Sequence, residues 1–383
     1  MSELLKRHRN LIAAIVVLGL LALVPFAMNP LDTKLDFMIF AVGYTMMALD
    51  LNIVVGFAGL LDLGYVAFYA IGAYCIGWFG ADFFGAKADG GKGVDFSFGV
   101  DAFASDLPGI HLNFVLIVII AAILAAVLGT LIGLPTLRLR GDYIAIVTLA
   151  FGEIVQTIAE NGEKIKPLGY KLTNGPTAIS PVDQPKLPGV EVFDSAFSIR
   201  PYFWLGLVML AIVLFINFRL RDSRMGRAWI AIREDEVAAA SMGVPLVKTK
   251  LLAYAAGAAI GGGAGAFLGT YNQAINSNQF EFFFSIFILA MVILGGLGNI
   301  WGVVAGAVLL SFIDRYLIPE ILNDAPSKVG LDFRLTDVNF AIFGFLLVFV
   351  MVLRPEGLFP ERRRKVEMTE GVGTDESLFE ARA

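Results

Sequence analysis

Charge is scarce in this chain: 16% of its 383 residues are Asp, Glu, Lys or Arg, where a soluble domain carries about a quarter. That deficit excludes an ordinary water-soluble globule. Cysteine is almost absent. The single Cys75 lies in an apolar run, so it forms no intrachain disulfide, offers no metal site alone, and reads as a packing residue. Histidine occurs twice, at His8 and His111, near the ends of apolar runs and without a Cys or His at ligand spacing, which argues against a metal role. Hydrolase signatures are also missing. There is no Gly-x-Ser-x-Gly, no His-Glu-x-x-His and no suitably flanked pair of membrane aspartates, which argues against an intramembrane hydrolase. The nearest approach to a phosphate-binding loop is Gly91-Lys92, where Gly93 stands in place of the Ser or Thr that holds magnesium. No bond chemistry and no cofactor are expected of this chain itself.

What is abundant is apolar side chain, at 57% of residues. It comes in runs of about 20, the length that crosses a hydrocarbon core of about 30 Å as helix. The sequence predicts an all-α polytopic membrane protein with about ten spans, near 11–28, 37–57, 61–80, 113–134, 142–160, 203–218, 251–270, 282–297, 301–318 and 338–353. The first run follows Lys6, Arg7 and Arg9 but lacks a small-x-small cleavage site, and it reads as a retained helix rather than a signal peptide. Glycine clusters at 56–59 and 295–302 join neighbouring spans so tightly that re-entrant turns remain an alternative there. The segment Gly56 to Tyr74 also echoes Gly295 to Ser311, each beginning with clustered glycines after an apolar run, as transporter repeats do.

Basic residues set the orientation. With a cytoplasmic N-terminus and ten alternating spans, Arg138, Arg140, Arg219, Arg221, Arg224, Arg227, Arg233, Lys248, Lys250, Arg354, Arg362, Arg363, Arg364 and Lys365 all fall inside. Asp82, Asp89, Asp95, Asp101 and Asp106 fall outside, and both termini are cytoplasmic. Residues 1–360 then form one transmembrane domain, and the charged segment 361–383 reads as a disordered tail. The outside segments 81–112 and 161–200, the second holding Pro167, Pro176, Pro181, Pro185 and Pro188, are either an extracytoplasmic cap or plain linkers.

The charged island 219–250 stands between two long apolar runs. Asp235 suits a helix N-cap, Glu236 to Met242 reads as about two helical turns, and Gly243 suits a left-handed C′ position before Pro245. A second short amphipathic turn runs from Arg227 to Arg233. Such a pair either inserts into a groove on a soluble protein or lies on the lipid surface with Trp229 and Ile230 buried. Polar residues inside spans mark cavities or helix contacts. They are Asp50, Asn52, Asp62, Glu153, Gln156, Asp314 and Arg315. Asp62, Tyr143, Thr148 and Glu153 are the candidate pathway residues; the alternative for Glu153 is a structural hydrogen bond to Tyr143 or Thr148, or across helices. The aromatics Phe68, Tyr69, Tyr74, Phe79, Phe282, Phe283, Phe284 and Phe287 either line an apolar path or face lipid and neighbouring helices. Small residues, densest in Gly257 to Ala266, let helices approach closely.

The stretch Gly226-Arg-Ala-Trp-Ile-Ala-Ile-Arg-Glu-Asp-Glu-Val-Ala-Ala-Ala-Ser-Met-Gly243 resembles the coupling loop of ABC-importer permeases. Together with the stretches Gly56 to Tyr74, Leu137 to Glu153 and Gly295-Gly-Leu-Gly-Asn-Ile-Trp-Gly302, it resembles the branched-chain amino acid ABC transporter permeases of the LivM type over about residues 35–355. Urea permeases share much of the pattern. The resemblance implies an ABC-importer permease architecture and ATPase-coupling roles for Gly226, Arg227, Ala228, Arg233, Glu234, Glu236, Ala239, Ala240 and Gly243. It also implies a homologous permease partner, two cytoplasmic ATP-binding subunits that hold ATP and magnesium, a periplasmic substrate-binding protein, and a place in a bacterial inner membrane. The competing classes are an ABC permease for urea or another small amide or amino acid and an ATP-independent channel or secondary transporter.

Overall fold

The computed structural model describes residues 9–88, 90–100, 107–136, 143–186, 193, 197–323, 335–353 and 357–359. His8, Asp89, Asp101, Asp106, Arg138, Arg140, Asp142, Pro188, Arg354, Arg362, Arg363, Arg364, Lys365 and the tail 361–383 lie outside the described residues.

Helix α1 spans Arg9–Leu23 and α2 spans Thr33–Leu51, continuing as a π-helical stretch Asn52–Phe57. Helix α3 (Val66–Phe79) follows, then α4 (Phe114–Thr136), α5 (Tyr143–Asn161) and α6 (Arg200–Arg221). Two short helices, α7 (Arg224–Glu234) and α8 (Glu236–Ser241), precede the long α9 (Leu246–Asn272). Helices α10 (Phe282–Gly295), α11 (Ile300–Phe312, continuing in π geometry over Ile313–Leu322) and α12 (Asn339–Leu353) complete the body. Among the described residues, six helical segments are long and apolar enough to cross a membrane, and four shorter apolar helices lie among them.

Burial follows composition. α2 is the central helix, buried almost throughout from Leu35 to Leu51, and its first turn is fixed by the Asp32 carboxylate accepting from Lys34 N at 3.0 Å. α4 is apolar all round, yet it buries only one stripe: Phe114, Ile117, Ala121, Ala125, Gly129 and Gly133. The i, i+4 spacing of that stripe sets one face against α9, and the remaining faces expose Ile119, Ile123 and Leu131 as a lipid-facing surface does. The small residues of α9 are contact points. A Cβ on Gly262 would stand 2.6 Å from Ala125 Cβ and 2.7 Å from the Ala121 carbonyl oxygen, and one on Gly72 would stand 2.0 Å from the Gly262 carbonyl oxygen. Helices α3, α4 and α9 therefore meet backbone to backbone, which only glycine permits at this spacing.

The all-α expectation fails in one place. Gly80–Ala81, Ile110–Leu112 and Phe96–Phe98 form a small three-stranded sheet, β1, β3 and β2 in spatial order but β1 (Gly80–Ala81), β2 (Phe96–Phe98) and β3 (Ile110–Leu112) along the chain. β3 pairs antiparallel with β1 and parallel with β2. Strands this short carry too little alternation to be read from sequence. The sheet is pinned to the second long connection: Asp183 N donates to Gly80 O at 2.7 Å, and buried His111 Nδ1 lies 2.7 Å from Asp183 Oδ2. Burial pushes the Asp183 carboxyl above the usual carboxylate range, while the hydrogen bond and charge of His111 pull it back down. The described parts of the two connections are thus in contact through Asp183.

The close packing at α9 makes a test. Gly262→Val must displace backbone and is expected to destabilise the chain by about 1–3 kcal/mol. Gly19→Ala, where an added Cβ meets no atom within 4 Å, is expected to be neutral or slightly stabilising. Thermal unfolding in detergent reads both; equal melting temperatures would contradict the packing.

Candidate functional site

The island at 219–250 folds as two short helices clamped to the membrane body. Ser223 starts α7, with its Oγ accepting from Gly226 N at 3.1 Å while its hydroxyl donates to Leu220 O at 2.7 Å. The turn out of α6 is so tight that a Cβ on Gly226 would stand 2.3 Å from Leu220 O. Gly226, Trp229 and Ile232 are the buried residues of α7, at i, i+3 and i+6 on one face. Trp229 is buried against α9 and donates its indole N–H to Thr249 O at 2.7 Å. It packs into protein, not lipid.

Asp235 ends α7 and begins α8. Its Oδ1 accepts from Val237 N at 2.8 Å and Ala238 N at 3.0 Å, the N-cap expected from sequence. At the other end Gly243 has φ +84°, and its N–H donates to Ala240 O at 3.0 Å while Val244 N donates to Ala239 O at 3.1 Å, closing the helix with a left-handed turn. Glu236 forms a 2.8 Å ion pair with the nearly buried Lys250 of α9. α8 is thereby tied to α9 at its base, while its far side projects. Val237 is 75% and Met242 86% exposed, and Ala240 and Gly243 are exposed beside them.

Arg233 points the other way. Its guanidinium donates to the carbonyl of Gly56, and its stem lies on Gly59, where a Cβ would stand 2.7 Å from Arg233 Cγ and where φ is +71°. Arg233, one of the coupling candidates, is a strut from α7 to the break between α2 and α3. That break is itself braced. Asn52 Oδ1 accepts from Gly298 N at 2.9 Å, so the two glycine clusters at 56–59 and 295–302 touch. Ser285 Oγ accepts from Val66 N at 3.0 Å, and Thr148 Oγ1 accepts from Leu63 N at 3.0 Å.

Of the coupling candidates, Arg227, Glu234, Glu236, Ala240 and Gly243 are exposed, Ala228 is half-buried, and Gly226 and Ala239 are buried in the packing of the pair. Of the pathway candidates, Asp62 and Thr148 come together at the 60–65 turn: Asp62 Oδ1 accepts from Gly64 N at 2.9 Å, and Thr148 Oγ1, which receives Leu63 N, also donates to Ala145 O at 3.1 Å. Both hold the turn. Tyr143, 68% exposed, and Glu153, exposed, lie away from it. α5 buries Ile144, Thr148, Gly152 and Ala159, and residue 153 is about 100° around the helix from Gly152. In this chain Glu153 faces outward and does not bond to Tyr143 or Thr148. Sequence reasoning missed Lys250 and the capping Ser223; the Ser-x-x-Gly step out of α6 is a local signal that marks the second.

Comparison with known proteins identifies the family. The family model for the branched-chain amino acid transport system permease component matches residues 34–351. The chain is 33% identical over 352 residues to the high-affinity branched-chain amino acid transport system permease protein LivM of Escherichia coli (strain K12), covering 87% of this chain and 71% of that protein. It is 28% identical over 334 residues to a probable branched-chain amino acid transport permease protein LivM of Methanocaldococcus jannaschii, covering 83% and 91%. A shorter stretch of 152 residues, 40% of this chain and 44% of the relative, is 30% identical to the permease protein LivH of Escherichia coli (strain K12). No solved structure matches.

Trp229→Phe keeps the ring but removes the N–H to Thr249. We expect it to loosen the α7–α9 contact by about 1–3 kcal/mol and to speed tryptic cleavage after Arg233. Cleavage at the unaltered rate would contradict the clamp.

Proposed function

The chain belongs to the branched-chain amino acid transport system permease family, and from that premise we propose how it works within an ATP-driven importer of leucine, isoleucine and valine. The ten apolar helices all cross the inner membrane, both termini are cytoplasmic, and the α7–α8 pair faces the cytoplasm. The clustering of Arg219, Arg221, Arg224, Arg227, Arg233, Lys248 and Lys250 at one end of the helices supports that sidedness. A homologous permease completes the pathway. Two ATP-binding subunits hold ATP and magnesium and dock on the α7–α8 pairs. A substrate-binding protein delivers the amino acid to the opposite face.

One observation carries the reading. An exposed, sparsely charged tip at Val237, Ala240, Met242 and Gly243 stands on a base fixed at three points, Trp229, Lys250 and Arg233. A free amphipathic helix at a lipid surface has no use for such fixtures. A docked motor does. Movement of the tip pulls on α9 through Trp229 and Lys250, and on the α2–α3 break through Arg233. Because the break also touches Gly298, the α10–α11 turn moves with it. The permease supplies no bond chemistry; it converts closure of the ATPases into a shift of α2, α9 and α10 around the path.

Two substitutions separate docking from transmission. Gly243→Trp fills the open space around the tip and is expected to abolish co-purification of the ATPase. Arg233→Ala is expected to keep the ATPase bound but lose a charge-assisted hydrogen bond of about 1.5–3 kcal/mol, lowering ATP-driven leucine uptake by about tenfold or more. Uptake that persists without ATP, or that urea competes as well as isoleucine and valine do, would overturn the reading in favour of a secondary transporter or a urea permease respectively.

A further inference from the structure

At the far end of α9 from the coupling helices, a cavity of about 500 Å³ opens between α2, α3, α9, α10, α11 and α12. That volume sits in the range of about 300–1,000 Å³ typical of small-molecule sites. Its lining carries the polar residues Asn272, Asn278, Gln279, Glu281, Asp314 and Arg315. Between them the walls are aromatic. Tyr69 and Phe284 stack with centroids 4.9 Å apart, Tyr44 meets Phe284 and Phe287 edge-on at 5.7 Å each, and Phe343 closes the side against Phe287 at 4.9 Å.

Arg315 is the unusual member. A guanidinium inside a membrane helix bundle is costly and is held there for a reason. It lies on the π-helical continuation of α11, a geometry that recurs at functional sites because it re-aims side chains out of helical register. The cation rests 3.7 Å from the centre of the Phe40 ring, and one Nη donates to Tyr44 Oη at 2.9 Å. Nε lies 3.4 Å from Asp314 Oδ2 without completing a hydrogen bond. A guanidinium has five N–H donors, and 37% of this side chain remains accessible, within the cavity lining. The fixed ring and hydroxyl therefore orient a fork with donors to spare. Such a fork matches a carboxylate in bidentate geometry.

Resting on the permease reading above, we propose that this cavity is a weak holding site for the transported amino acid itself. Arg315 takes the α-carboxylate, the Glu281 carboxylate of the same lining takes the α-ammonium, and the Tyr69, Phe284 and Phe287 rings receive the branched aliphatic side chain. The charge order suits a zwitterion. A neutral amide such as urea offers the Arg315 fork no charge to pair with. The site is also on the correct side: α9 has 27 residues and spans about 40 Å, so the cavity opens on the face opposite the α7–α8 pair, where a delivering protein releases its cargo.

The test uses the full-length chain in lipid nanodiscs without partners, with radiolabelled leucine in equilibrium dialysis. Leucine is expected to bind, and Arg315→Gln to weaken it by about ten- to a hundredfold. Leucinamide, which lacks the carboxylate charge, and isocaproate, which lacks the ammonium, are expected to compete poorly on the wild-type chain. That arm needs no variant to fold. Leucine binding unchanged in Arg315→Gln, or leucinamide competing as well as leucine, would overturn the site. In parallel, ATP-driven leucine uptake is measured on the assembled wild-type transporter. If uptake proceeds while binding ignores Arg315 and the carboxylate, the cavity assignment falls and the permease reading stands. If no branched-chain amino acid is taken up, the permease reading falls and the site with it.

Discussion

The hydrogen bond from Arg233 to the Gly56 carbonyl is the contact on which the rest of this structure depends. Without it, α7 and α8 are a pair of short helices at the edge of a membrane bundle. With it, they are joined to a place where the bundle is not continuous helix. The chain widens into π geometry at Asn52–Phe57, turns, and starts again at Val66. A peptide carbonyl freed by such a break must find a donor within the protein, because lipid offers none. Arg233 supplies it. The satisfaction of a backbone group and the attachment of the coupling helices are the same interaction.

From that junction the contacts fan outward. Asn52 carries the connection to Gly298, Thr148 ties in α5 through Leu63, and Ser285 ties in α10 through Val66. Each is a side-chain oxygen accepting from a backbone N–H at a helix break, so the interrupted helices hold one another by their loose ends. The uninterrupted helices are held differently. α3, α4 and α9 meet through Gly72, Gly262 and Ala125 at distances that leave no room for side chains. Such smooth faces resist separation but offer little obstruction to sliding. A body braced at its breaks and smooth along its long helices suits a protein that changes which face its cavity meets.

The sequence was most legible where the determining physics is local. Asp235 read as a helix start and Gly243 as a helix stop because capping acts within three residues, and both occupy those positions. The apolar runs located the helices, and the glycine clusters at 56–59 and 295–302 marked the interruptions. Direction around a helix was harder. Glu153 lies outside the buried stripe of α5, which is made of Ile144, Thr148, Gly152 and Ala159, and the even apolarity of the span gave no local sign of which face packs inward. Arg233 looked like a docking charge for the same reason. Its partner, Gly56, is 177 residues away, and no local pattern announces such a contact. The cavity around Arg315 needed six helices to converge, so its ingredients were visible one by one and their meeting was not.

The most direct measurement of the central claim is a distance between the tip of the coupling pair and the break it holds. Spin labels at Met242→Cys and Leu61→Cys, both exposed positions, are placed on a chain with Cys75 replaced, and the assembled transporter is followed by double electron–electron resonance with and without ATP. A narrow distribution that stays put across the cycle is the result this account predicts, because α7, α8 and the 56–65 turn move as one body. A distribution that shifts by about a helical turn, about 5 Å, on nucleotide binding would show the two moving independently and would contradict it.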